Sequence, residues 1–366
     1  MGTPLKRIVL SGYYGFKNSG DEAVLQSILL ALESEGKRQG VTIEPIVLSI
    51  DPAWTERMYG VRAAHRMKPG AVWQAIRSSD GLISGGGSLL QDATGSKTIP
   101  YYLAILKLAQ WLRKPTYIYS QGIGPVNRRQ FDSWIAGVFR ECRYVSVRDA
   151  ESAQLLKKMG LQGVPVEVVP DPVMGLPLRS ESEDSKKSRP VVGVSVRYWK
   201  EDRSDLQRVA AWLQELERSR DVEIRFLPFH LPSDRTASEE TIRFMGAEGK
   251  ENVGIAEDVH HPQDMLAEVS RCDLMIGMRL HSLIYAASQY VPVMGISYDP
   301  KIDQFLQRLG LKPAGTTETL DSSAAARESI RLLQNREQWV EEKRSFIDSL
   351  KQEAHQPAKQ IVASLL

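Results

Sequence analysis

Short apolar, β-branched runs alternate along this chain with stretches whose apolar residues recur every three or four positions. Runs at 8–11, 42–50, 81–83, 116–119, 144–147 and 166–169 read as strands. Residues from about 20 to Gly36 or Gly40, then 71–77, 99–112, 130–142 and 150–159, read as helices. In the first of them Val24, Leu25, Ile28, Leu29 and Leu32 share one face. The alternation predicts a parallel sheet covered by helices. A polar stretch at 179–189, R-S-E-S-E-D-S-K-K-S-R, interrupts it. The same alternation then restarts, with strands at 191–196, 222–227, 253–256, 273–276 and 291–296. Helices are predicted at 206–216, 238–245, 262–270, 282–288, 301–309, 322–333 and 337–354. The predicted fold class is α/β, with two Rossmann-like domains at 1–178 and 190–335 facing a cleft. A linker at 179–189 joins them, and a C-terminal helical segment at 336–366 follows.

Composition changes this picture little. A net charge of +2 argues neither for nucleic acid nor for a membrane surface. Two cysteines, one in each half, make no disulfide framework and no zinc quartet, and fit a reducing cytoplasm. The chain enters its first strand almost at once, with no room for a signal peptide, and no apolar run is long enough to span a bilayer. No H-E-x-x-H, EF-hand or Cys/His cluster is present, so no metal is expected.

The chemistry concentrates where strands end. Residues 272–301 read C-D-L-M-I-G-M-R-L-H-S-L-I-Y-A-A-S-Q-Y-V-P-V-M-G-I-S-Y-D-P-K. Residues 277–281 are expected to form a turn, with a helix from Ser282 and a loop at 297–301. Arg279, His281 and Lys301 then sit beyond the carboxyl ends of two strands, where open α/β sheets bind ligands. Cations around one His fit an anionic substrate that needs a proton moved. His230, after another strand, is a further candidate. In the first half, Ser19 and Glu22 have the spacing of a capping box. Asn18 and Asp21 stand at the same helix start, where an acid suits sugar hydroxyls better than phosphate. Gly85, Gly86 and Gly87 allow close backbone approach, or simply a tight turn. Gln121 with Gly122 offers a hydroxyl site or a plain turn. Arg148 ends a strand beside Asp149, as a local ion pair or as a cation aimed into the cleft.

Several of these segments, taken together, resemble the polysaccharide pyruvyl transferase family. They are G-F-K-N-S-G-D-E at 15–22, G-G-G-S-L-L-Q-D at 85–92, S-Q-G-I-G-P at 120–125, S-V-R-D-A-E-S at 146–152, P-D-P at 170–172, G-M-R-L-H-S at 277–282 and Y-D-P-K at 298–301. The chain looks most like the bacterial members that pyruvylate a secondary cell-wall polymer, whose ketals anchor surface-layer proteins. The resemblance implies a GT-B-like fold whose last helix crosses back to the first domain. It implies phosphoenolpyruvate as donor and, as acceptor, N-acetylmannosamine of a lipid-diphosphate-linked disaccharide, with a 4,6-ketal as product. No redox step is involved, so no cofactor is expected, and no nucleic-acid partner. The protein would work in the cytoplasm, with peripheral contact at the inner face of the membrane.

Phosphoenolpyruvate carries a phosphate and a carboxylate, which arginine binds through paired hydrogen bonds. Arg148, Arg279 and Lys301 are the expected donor-binding cations, with Gly277 and Leu280 of the same motif. His281 is the expected acid, with Arg148 and Asp21 completing the catalytic set. Asn18, Asp21, Gly86, Gln121 and Gly122 are the expected acceptor side. Two rivals remain at this stage: a GT-B glycosyltransferase using a nucleotide-sugar, and a non-catalytic binding protein for anionic glycans.

Overall fold

The computed structural model describes residues 3–92, 95, 97–179, 188–257 and 259–366. Most of the predicted linker, 180–187, lies outside them. The chain forms two compact units. The first holds Met1–Lys17, Asp21–Leu176 and Leu350–Leu366, and the second holds Asn18–Gly20 and Pro177–Ser349.

In the first unit the elements run β1 (Leu5–Tyr14), α1 (Ser19–Gln39), β2 (Thr42–Ser49), α2 (Pro52–Tyr59), β3 (Arg62–His65), α3 (Pro69–Arg77) and β4 (Gly81–Gly85). They continue through α4 (Thr98–Trp111), β5 (Thr116–Gln121), α5 (Gln130–Arg140), β6 (Tyr144–Val147), α6 (Ala150–Lys158) and β7 (Glu167–Val168). All neighbouring strands are parallel, in the order β3-β2-β1-β4-β5-β6-β7. Ile8, Val9 and Leu10 of β1 are fully buried, as a central parallel strand covered on both faces requires. The α2 helix and β3 strand have no counterpart in the sequence reading. Asp51 caps α2 by accepting from the Trp54 N–H at 3.1 Å, and Gly60 ends it in a left-handed conformation.

The second unit repeats the plan: β8 (Val191–Ser195), α7 (Ser204–Ser219), β9 (Glu223–Phe226), α8 (Ser233–Phe244), β10 (Val253–Ile255), α9 (Pro262–Ser270), β11 (Leu274–Gly277), α10 (Leu280–Ser288), β12 (Val293–Ser297), α11 (Pro300–Arg308), β13 (Gly315–Thr316) and α12 (Ser322–Gln334). Its parallel order is β10-β9-β8-β11-β12-β13. In place of one closing helix there are two, α13 (Arg336–Glu353) and α14 (Gln356–Leu365). Residues 350–366 belong to the first unit, where the Ser364 hydroxyl donates to the Tyr117 hydroxyl of β5 at 2.9 Å.

Each sheet winds outward in both directions from its first strand. The topological switch points therefore lie between β1 and β4 in the first unit and between β8 and β11 in the second. The loops after those four strands carry most of the residues of interest.

Candidate functional site

At the second switch point β11 ends on Gly277 beside Ser195 of β8. The expected turn at 277–281 is shorter in the structure. Arg279 stands at the N-cap position of α10 with extended backbone, and helix begins at Leu280. His281 thus sits in the first helical turn. The Ser282 hydroxyl donates to the Arg279 carbonyl at 2.6 Å and tightens that turn. A Cβ on Gly277 would meet Ser282 Oγ at 2.4 Å, so only glycine lets α10 start so close to the strand. Leu280 is buried.

Arg279 is not a loose cation. Its Nε and Nη2 groups donate to the two oxygens of Asp234 at 3.0 and 2.5 Å. Asp234 lies in the first turn of α8 and is fully buried. The same carboxylate accepts from the His230 N–H at 3.0 Å. Burial, then the charges of Arg279 and Arg197, hold the His230 imidazole below its ordinary pKa. Asp234 had no signal in the sequence beyond standing four residues after His230.

Asn18–Gly20 belong to this cluster. Asn18 bridges His230, and the Ser19 N–H donates to the Phe229 carbonyl at 2.9 Å. A Cβ on Gly20 would lie 2.1 Å from His281 Nδ1 and 2.6 Å from its Cγ. The imidazole occupies the space that any other residue at position 20 would fill. Asn18, expected on the acceptor side with Asp21, Gly86, Gln121 and Gly122, belongs to the same unit as His281 and Arg279, and the other four belong to the first unit.

Lys301 was expected to end the 297–301 loop and to start the 301–309 helix, and the helical expectation holds. It lies in the first turn of α11, its ammonium 3.0 Å from the Asp299 carboxylate and 6.0 Å from the Tyr298 ring. The Arg197 guanidinium donates to the Tyr298 hydroxyl at 2.9 Å and lies over the Trp199 ring. Tyr298 and Trp199 are 4.5 Å apart. Arg197, just past β8, completes the row of cations at this end of the sheet.

In the first unit, Arg148 is nearly buried at 9% exposure. It sits against the carboxylates of Asp149 (3.4 Å) and Asp171 (3.9 Å) and donates to Ser88 Oγ at 2.8 Å. A Cβ on Gly122 would meet its guanidinium at 2.7 Å. Gly122 also donates its N–H to the Gly87 carbonyl at 2.9 Å, which ties the β4 and β5 loops together. Gln121 is fully buried, and neither amide atom has a partner among the described residues. A buried amide left so calls for a polar occupant.

The glycine run has packing reasons of its own. Tyr14 fills the space beside Gly85, its hydroxyl 2.6 Å from where a Cβ would sit. Val24 does the same at Gly86, and Asp21 Oδ1 lies 3.2 Å from the corresponding point at Gly87. The charge of Asp21 is felt at Tyr13, Tyr14 and Tyr102, which had no place in the sequence reading. Tyr13 stacks on Phe16 at 3.9 Å. Arg66 lies 4.6 Å from the Tyr101 ring centre and donates to the Gly12 carbonyl at 2.7 Å. Arg66 follows β3, a strand without a clear periodic signal.

The expected capping box does not form. The Glu22 carboxylate is fully buried. It accepts from the Gly15 N–H (2.8 Å), the Lys17 N–H (3.3 Å) and the Tyr59 hydroxyl (2.8 Å). It pins the loop after β1 and does not reach Ser19. Burial pushes its pKa up to about 7, against the pull of those donors. The folded value exceeds the ordinary 4.5, so the folded chain holds the proton more tightly. That stabilisation is complete below the ordinary value and is lost as pH rises through about 7. Glu22→Gln keeps an acceptor for both backbone donors. Its melting temperature is expected to vary less than wild type between about pH 5 and pH 8. An unchanged profile in thermal melts would assign the dependence elsewhere.

The family model for polysaccharide pyruvyl transferases matches residues 18–300. The amylovoran biosynthesis protein AmsJ of Erwinia amylovora is 22% identical over 274 residues, which cover 64% of this chain and 61% of that relative. The chain thus spans less than two thirds of the relative's length. Among solved structures, a UDP-N-acetylglucosamine 2-epimerase from Listeria monocytogenes aligns with TM-score 0.66 at 13% identity, over 100% of this chain and 96% of its own. A glycosyltransferase from Rickettsia africae aligns with TM-score 0.66 at 11% identity, over 100% and 99%. These likenesses establish the GT-B-like fold of two Rossmann-type units.

Proposed function

The chain belongs to the polysaccharide pyruvyl transferase family, and from that premise we propose that it moves pyruvate from phosphoenolpyruvate to a sugar diol. The product is a 4,6-ketal on N-acetylmannosamine of a lipid-diphosphate-linked wall precursor. The observation that carries this reading is His281 in the first turn of α10, with Arg279 held beside it by the buried Asp234.

The steps follow from the donor's chemistry. The methylene carbon takes a proton from His281, and the adjacent carbon becomes electrophilic. The first sugar hydroxyl adds to that carbon and gives up its proton. The carbon–oxygen bond to phosphate breaks, and the second hydroxyl adds to the same carbon and closes the ring, its proton passing to the departing phosphate while the first hydroxyl's proton restores the acid. One phosphoenolpyruvate and one diol give one ketal and one inorganic phosphate. Arg279 meets the donor with the edge of its guanidinium that Asp234 leaves open, and Lys301 adds a second positive charge. Arg148 is a further donor cation, and Asp21, Gly86, Gln121 and Gly122 serve acceptor hydroxyls. The buried amide of Gln121 supports that assignment, since it offers both a donor and an acceptor without a protein partner.

A nucleotide-sugar transferase is the second reading. The Trp199–Tyr298 pair favours it, because two rings at 4.5 Å offer a face to a base. One experiment separates the two. A synthetic lipid-linked disaccharide is incubated with phosphoenolpyruvate, or with a uridine or guanosine diphosphate sugar, and the products are weighed by mass spectrometry. A pyruvate ketal with equimolar phosphate is expected. A hexosyl adduct, or no phosphoenolpyruvate-dependent product, overturns the proposal.

A further inference from the structure

The α4–α5 face of the first unit carries a patch that the transfer chemistry does not use. Trp111, the last residue of α4, is 73% exposed, and Trp134, early in α5, is 52% exposed. Both line one groove of about 580 Å³ whose floor includes Leu103 and Gly137. Single exposed apolar residues are ordinary, but two tryptophans on one groove form a patch that water does not favour.

The rim of that groove is basic. Lys107 and Arg140 line it, and an adjoining depression adds Arg113, Lys114 and Arg143. Glu141, which pairs with Lys107 at 2.6 Å, is the one acid among the residues lining either hollow. This surplus of positive charge exceeds the +2 of the whole chain, so the charge is concentrated here. No helix among the described residues is long and apolar enough to cross a membrane. A surface that pairs tryptophan with clustered lysine and arginine matches a bilayer interface. Indole rings settle at headgroup depth and the cations meet anionic phosphates.

We propose that the α4–α5 face docks on the surface of an anionic lipid bilayer, with Trp111 and Trp134 inserted at headgroup depth and the basic rim on lipid phosphates. The inference rests on this surface alone and holds whatever group the chain transfers.

Flotation of the full chain with vesicles tests it, using phosphatidylcholine with and without phosphatidylglycerol. Wild type is expected to float with the anionic vesicles at low salt and to be released as salt is raised. Trp111→Ser/Trp134→Ser keeps every charge and is expected to lower the bound fraction at least about tenfold. Arg113→Glu/Arg143→Glu is expected to abolish the preference for anionic lipid. Unchanged thermal melts show that both variants fold. The proposal fails if wild type does not float, or if the tryptophan variant floats as well as wild type. It also fails if vesicle-free sedimentation shows a self-associated form that the tryptophan variant abolishes, which would give the face to a second copy of the chain.

Discussion

His281→Ala is expected to slow phosphate release from phosphoenolpyruvate by about 10²–10⁴-fold in the presence of acceptor, the usual worth of a positioned acid. Its melting temperature should stay near wild type, because His281 is only partly buried at a helix start. A companion variant leaves the imidazole in the chain but moves it. Gly20→Ala puts a methyl 2.1 Å from His281 Nδ1, a distance at which something must shift, and the side chain is the softer partner. The rate is expected to fall at least about tenfold, since small misplacements of a reacting group are costly. Stopped-flow phosphate detection checks both. If His281→Ala keeps full turnover, the proton comes from another group. If only Gly20→Ala is slow, the glycine matters for the 15–20 loop and not for the imidazole.

The second large effect falls on stability. Arg279→Ala removes the partner of a carboxylate that is fully buried in α8. Breaking a buried pair on one side costs about 3–5 kcal/mol, because the remaining charge is left without compensation. Chemical denaturation should therefore show a loss of that order, and donor turnover should fall with it. Arg279→Leu/Asp234→Leu removes both charges and is expected to recover much of the stability while turnover stays low. If the double variant regains turnover, Arg279 serves the fold and not the donor. If Arg279→Ala is as stable as wild type, the pair is not buried in solution as it is in the structure.

The architecture was largely legible from periodicity. Parallel strands covered on both faces are continuous apolar runs, and Ile8–Leu10, Tyr144–Val147 and the 191–196 run stood out for that reason. The elements missed were short or half-polar. β3 reads R-A-A-H, β13 has two residues, and α14 follows a break at Ala354–His355 that composition does not announce. Boundaries at strand-to-helix turns were also misplaced. The hydrophobic pattern of Leu280–Ser288 carries no mark of whether helix starts before or after His281, and the choice depends on Gly277 admitting Ser282 at close range.

The residues of interest divide in the same way. Arg279, His281, Lys301 and Arg148 could be read because each follows an apolar strand, and a parallel sheet puts such positions at one edge. Their partners could not be read. Asp234 reaches Arg279 across 45 residues, Gly20 makes room for His281 across 261, and Gly122 makes room for Arg148 across 26. Sequence by itself determined the local alternation, the family motifs and the kinds of side chain at strand ends, because periodicity and chemistry are properties of neighbours along the chain. Only the tertiary structure decided which carboxylate holds which arginine and which glycine leaves space for which side chain. Those pairings follow from strand order and close packing, which bring together residues that no local pattern connects.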